Sequence, residues 1–292
     1  MTDDLRRAAI ELYDRFTHEG MERRNFMTRM AALAGGMAAA EAMIGAISAN
    51  PAAAAVVPED DPRVRTSTLS LLGMSKFPKH SAYAAHPAKG LRRPTVMVVH
   101  ENRGLNAHIR DIARRLAVAG FYAVAPDFLS PSGGTPSNED AARDAIGKLD
   151  LGAATAAGAE MLNELKARVD GGATVGAVGF CWGGGFVNRL AVAAGDRFDA
   201  GVVFYGPAPD PAEAAKVSAP LMLHLAGRDE RVAATAWPWV KSLRSAGKSV
   251  TAYNYDGADH AFNNDTSAER YDKAAADLAW SRTLRFFRRQ FR

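Results

Sequence analysis

The stretch Ala177-Val178-Gly179-Phe180-Cys181-Trp182-Gly183-Gly184-Gly185 decides how the rest of the chain is read. A β-rich run, Thr174–Phe180, ends in Gly-x-Cys-x-Gly, and a helical pattern over Gly184–Ala194 follows at once. Strand, sharp turn and helix in this order lift a nucleophile clear of a sheet, here with Cys where Ser is usual. Side chains at 179 and 183 would collide with neighbouring backbone in so tight a turn, which calls for glycine at both. The sulfur then stands at a helix N-terminus, where the dipole favours negative charge and the Trp182 amide can help hold an oxyanion. Taken alone, the motif also reads as a buried core cysteine or a phosphate-binding glycine loop.

Outward from that turn, short apolar runs alternate with helical patterns. Strands are predicted over Thr66–Leu72, Ser81–His86, Thr95–His100, Tyr122–Pro126, Thr174–Phe180, Ala200–Tyr205, Leu221–Ala226 and Ser249–Tyr255. Helices are predicted over Asn106–Ala119, Asp140–Leu149, Ala153–Arg168, Gly184–Ala194, Ala234–Ser245 and Ala268–Phe291. Runs such as Val96-Met97-Val98-Val99 suit strands covered on both faces, and the alternation predicts a mostly parallel sheet flanked by helices. The first two strands have no helix between them, which predicts an antiparallel edge.

Two partners for the cysteine follow in order. Asp229 comes after the Leu221–Ala226 strand, in Gly227-Arg228-Asp229-Glu230, and His260 after the next strand, in Ala258-Asp259-His260-Ala261-Phe262. Nucleophile, acid, histidine is the chain order of the α/β-hydrolase fold, each residue at the C-terminal end of a strand. Asp259 is a rival acid, although neighbours in a loop rarely face each other. Of the other histidines, His18 lies in the N-terminal segment and is set aside, His80, His86 and His108 lack a partner pattern, and His100 and His224 end buried strands. No His-Glu-x-x-His or paired ligand spacing points to a metal, and none is expected.

Composition narrows the class. Of 292 residues, 48% are hydrophobic and 23% charged, which is globular and excludes a disordered or fibrous chain. The net charge of +4 is no nucleic-acid footprint, so no nucleic-acid partner is expected. The single cysteine can form no intrachain disulfide. In the last helix, Arg282, Arg285, Arg288, Arg289 and Arg292 interleave with Leu284, Phe286, Phe287 and Phe291. That pattern reads as a packing helix before a membrane-surface one, and no stable membrane insertion of the domain is expected.

Residues 1–57 differ from the domain expected over 58–292. Glu22-Arg23-Arg24-Asn25-Phe26-Met27 precedes an Ala-rich run that ends at Asn50-Pro51-Ala52-Ala53-Ala54-Ala55, in the manner of a twin-arginine export signal. That reading, which is preferred, gives a periplasmic protein. Against it, Glu41 interrupts the run, and Leu5, Ala8, Ala9, Leu12 and Phe16 already share one helical face. The alternative is a retained hairpin, Asp3–Thr17 and Arg23–Gly35, packed on the main domain or on a twin subunit in a homodimer, in a cytoplasmic protein.

Several blocks together resemble the dienelactone hydrolase family of α/β-hydrolases, over roughly Thr66 to Phe291. They are Val99-His100-Glu101-Asn102-Arg103-Gly104-Leu105-Asn106, Ala125-Pro126-Asp127, the cysteine turn, Phe204-Tyr205-Gly206 and Asp259-His260-Ala261-Phe262. The resemblance implies a Cys181–His260–Asp229 triad that opens activated esters or lactones through an acyl-thioester, without a cofactor, on a small-molecule substrate. It implies that Glu101 hydrogen-bonds the resting nucleophile and takes part in generating the thiolate, and that Asn102 supplies the second oxyanion amide beside Trp182. It places Arg143 where one carboxylate-binding arginine is expected and Asn264 where a second would stand. An asparagine cannot make the charged fork, which leaves room for neutral substrates. A broad carboxylesterase or thioesterase of the same fold, and a redox-active cysteine protein, are the alternatives.

Overall fold

The computed structural model describes residues 2–48, 55–73, 75–90, 93–168 and 171–291, and of 171–173 the backbone alone. Strands β1 (Val64–Leu71), β2 (His80–Pro87), β3 (Arg93–Val99), β4 (Tyr122–Pro126), β5 (Gly171–Phe180), β6 (Ala200–Phe204), β7 (Leu221–Ala226) and β8 (Val250–Tyr255) form one sheet. Its order is β1-β2-β4-β3-β5-β6-β7-β8. The β1–β2 and β2–β4 pairs are antiparallel and the remaining pairs parallel, so the expected antiparallel edge closes one side of a parallel α/β-hydrolase sheet.

Alternation along the central strands feeds two cores. Val96 and Val98 of β3 face one layer and Met97 and Val99 the other, as the period of two requires. On the first side they meet α4 (Ala107–Val118) and α9 (Lys273–Gln290), through Ile112 and Phe287. On the second they meet α6 (Leu151–Ala167), α7 (Trp182–Ala193) and α8 (Glu230–Ser245), through Leu162, Leu190 and Trp239. The short α5 (Glu139–Gly147) lies outside these layers, with Ala142 and Ile146 against Leu129. The last helix starts later than the sequence pattern suggests, because Asp272 caps it by accepting from the Ala275 N–H. The preceding residues turn instead, the Tyr271 N–H reaching Ser267 O.

The N-terminal segment folds into three helices, α1 (Asp3–His18), α2 (Arg23–Ala34) and α3 (Met37–Ile47), one more than the hairpin reading contained. Gly35, left-handed at φ 81°, ends α2 and lets the chain turn. Ile10, Tyr13, Phe16, Phe26, Met30 and Ile47 bury one another in a core separate from both layers of the domain. Among the described residues no single helix is long and apolar enough to cross a membrane, and the α2–α3 pair is bent by 104°. The stretch Asn50–Ala54 that ends the proposed export signal, and Arg292, lie outside the described residues.

Candidate active site

The sharp turn after β5 sets the position of the sulfur. Cys181 has φ 53° and ψ −114°, a conformation rarely adopted by L-residues, and its N–H is held by Phe204 O at 3.0 Å. A Cβ on Gly179 would lie 2.0 Å from Gly183 O, and one on Gly183 would lie 2.3 Å from Val99 O. Both glycines are therefore demanded by backbone packing, and the strain at Cys181 is held by the strands on either side. Cys181 is 5% exposed and stands at the N-cap of α7.

Asp229 and His260 meet beside it. One oxygen of Asp229 caps α8 by accepting from the Val232 N–H at 3.0 Å, while the other accepts from His260 Nδ1 at 2.5 Å. The helix end thus aims the carboxylate, and the carboxylate fixes the ring with its hydrogen on Nδ1. Burial opposes the charge on Asp229, but His260, Arg231 and the Val232 N–H hold its pKa down to about 2. Burial likewise works against a charged His260, yet Asp229 and Cys181 push its pKa up to about 10. Asp259, the rival acid, is turned away and pairs with Arg6 at 3.0 Å and Arg228 at 3.6 Å.

The remaining predicted residues divide. Glu101, 7% exposed, accepts from Asn264 Nδ2 at 3.0 Å and faces the Tyr205 hydroxyl at 3.5 Å. The hydrogen bond at the cysteine sulfur comes from elsewhere, contrary to the role the resemblance implies for Glu101 in the resting state. Trp182 opens α7, so its N–H is one that a helix leaves without an intrahelical acceptor, and its ring stacks on His100. Asn102 follows Glu101, and both line a small cavity beside Cys181, with the Asn102 side chain donating to Thr17 O at 3.3 Å. Arg143 lies on α5, paired with Asp140 and Asp144 and stacked over Phe16 with 4.4 Å to the ring centre. Asn264 is 1% exposed and engaged by Glu101 and Thr266.

The partner of the sulfur is His18, which the sequence reading set aside. His18 Nε2 lies 3.1 Å from Cys181 Sγ. Its Nδ1 faces Asp14 O at 2.8 Å, a carbonyl that can only accept, so Nδ1 carries the hydrogen and Nε2 the lone pair. Burial, and then the charges of His260 and Arg231, hold the pKa of His18 well below the usual imidazole range.

Polar contacts seat α1 there. Arg6 bonds Asp259 and the side chain and carbonyl of Glu269, and Arg103 donates to Tyr13 Oη at 2.9 Å. Arg270 stacks on Tyr13 and reaches Asp14 at 3.4 Å and Ile47 O at 3.1 Å. What remains between α1 and the sulfur is a cavity of about 20 Å³. A motif search could not reveal His18, because nothing local marks it; only the docking of α1 does.

Comparison with known proteins identifies the family of the domain that carries this site. The Dienelactone hydrolase family matches residues 80–291. A Methylorubrum extorquens protein with a provisional carboxymethylenebutenolidase name is 31% identical over 229 residues, covering 71% of this chain and 76% of its own. Protein usf of Aquifex pyrophilus is 33% identical over 221 residues, covering 72% and 93%. A solved Klebsiella pneumoniae structure, titled provisionally as a dienelactone hydrolase, superposes with a TM-score of 0.69 at 27% identity, over 77% of this chain and 98% of that one. With the family matched over most of its length, this chain belongs to the dienelactone hydrolase family and is a hydrolase acting on esters or lactones.

Proposed function

We propose that the protein cleaves activated esters or lactones with Cys181 as nucleophile, His260 as proton carrier and Asp229 as the group that orients it. The observation that carries this reading is the strained cysteine turn beside a histidine whose tautomer is set by a buried carboxylate. The sulfur attacks the acyl carbon as a thiolate, and the amides of Trp182 and Asn102 receive the developing oxyanion. His260, as imidazolium, gives its Nε2 proton to the departing oxygen. Water then attacks the thioester, its proton passing to Nε2, and the carboxylate product leaves with the thiolate restored.

A thiolate is itself a good leaving group, so an alkyl ester returns to substrate more readily than it expels alkoxide. Enol lactones and aryl esters are the substrates this favours, and with an asparagine at 264, engaged by Glu101, the acyl group need not carry a carboxylate. A cavity of about 20 Å³ admits no ester, so turnover also requires α1 to lift from the site. Brief exposure to p-nitrophenyl acetate followed by acid quench and peptide mass spectrometry should place an acetyl group on Cys181. Unchanged turnover in folded Cys181→Ala would refute the reading.

A further inference from the structure

We propose that Cys181, His260 and His18 together form a binding site for a borderline-soft divalent cation, Zn²⁺ by ligand preference, which fastens the N-terminal segment over the nucleophile. The sulfur and one ring nitrogen of each imidazole lie within 4.8 Å of one another. Zinc bonds of about 2.0–2.3 Å in a tetrahedron place ligand atoms roughly 3.3–3.7 Å apart, so closure needs shifts of about an ångström or less. One thiolate with two imidazoles is a donor set that zinc accepts readily.

The hydrogen-bond partners argue for it more strongly than proximity does. Both imidazoles are held through Nδ1, His260 by the Asp229 carboxylate and His18 by the Asp14 carbonyl, the two kinds of outer partner that metal-bound histidines have. Both Nε2 atoms are thereby turned to the same sulfur. Of the two, His18 Nε2 alone makes a hydrogen-bond contact with it, at 3.1 Å. His260 Nε2 has no hydrogen-bond partner among the described residues, on a side chain 3% exposed. A cation satisfies the sulfur and both nitrogens at once. The adjoining cavity of about 20 Å³ has room for one water as fourth ligand.

On binding, any proton on the sulfur or on either Nε2 passes to solvent, leaving a thiolate and two neutral imidazoles around the ion. Because α1 supplies one ligand and the domain two, the ion would hold the segment down and silence the sulfur. The inference shares Cys181 and His260 with the hydrolytic reading, but its test needs no ester, so either can fail alone.

The test is titration of metal-free, full-length protein with Co²⁺, followed by its thiolate-to-cobalt charge-transfer absorption, then Zn²⁺ in competition with a chromophoric chelator. One equivalent should bind with the band present, and Cys181→Ser should abolish the band. His18→Gln should weaken binding at least tenfold, the low end of what loss of an outer partner costs, with His18→Cys restoring most of it. In the wild type, Zn²⁺ should also slow proteolytic release of the N-terminal segment, a readout that does not depend on any variant folding. Absence of the band in the wild type, full affinity in His18→Gln, or proteolysis indifferent to Zn²⁺ would each overturn the proposal.

Discussion

His18 Nε2 and Cys181 Sγ lie 3.1 Å apart, although 163 positions separate them in the chain. The contact joins the end of α1 to the strained turn after β5, and so couples the N-terminal segment to the reacting atom. The segment's apolar side chains bury one another, while its links to the domain are largely ion pairs and hydrogen bonds. Such a seat resembles a polar interdomain interface, which separates at modest cost.

Arg6→Ala removes the bonds to Asp259 and Glu269. Arg6 is 26% exposed, so solvent screening limits the loss of seating energy to about 1 kcal/mol. If lifting of α1 gates the site, kcat/KM for p-nitrophenyl acetate rises by up to about fivefold, since 1.4 kcal/mol is tenfold. Steady-state kinetics on the metal-free enzyme checks it, and an unchanged or lower value would show that this contact does not gate entry.

The pH profile should carry the mark of the His260–Asp229 pair. With the His260 pKa raised to about 10, the imidazolium that protonates the leaving group persists through neutral pH, and kcat/KM falls only as pH rises through about 10. Asp229→Asn removes the main charge that raises it, so the alkaline fall moves to lower pH. Turnover should also drop by roughly 10⁴, as when the tautomer is lost in a serine-based triad. An alkaline limb unmoved by the substitution would separate Asp229 from His260 in function.

Gly183→Ala puts a methyl group 2.3 Å from Val99 O and 2.5 Å from His100 O. Backbone on both sides leaves little to yield, and a loss at the upper end of overpacking costs, about 3 kcal/mol, is expected. Urea unfolding measures it directly. A loss below about 1 kcal/mol would mean that the turn can relax.

Asn264→Ala leaves the buried Glu101 carboxylate without its 3.0 Å amide donor. Removing one partner from a buried charged group should cost about 1–3 kcal/mol. The same unfolding experiment reads it, and a neutral result would mean that water replaces the amide.

Much of the fold could be read in one dimension. The alternation Val96 to Val99, the Gly-x-Cys-x-Gly turn and the order Cys181, Asp229, His260 are local signals, each set by a period or by a turn that tolerates few residues. The sequence pattern starts α9 too early because Ala268 to Tyr271 has helical composition, while the cap that decides the matter is the side chain of Asp272. Position along a resemblance points to Arg143 and Asn264. In three dimensions one stacks on Phe16 and the other holds Glu101.

The amino-acid sequence by itself determined the sheet, its layers and the location of the cysteine turn, because hydrophobic period and glycine at crowded backbone act over a few residues. The tertiary structure alone decided what faces the sulfur. His18 carries no motif, and Tyr13, Asp14, Arg6 and Arg270 read as an ordinary charged helix and loop until their long-range pairs form. Such contacts depend on how two separately folded surfaces match in shape and charge, which neither periodicity nor spacing encodes.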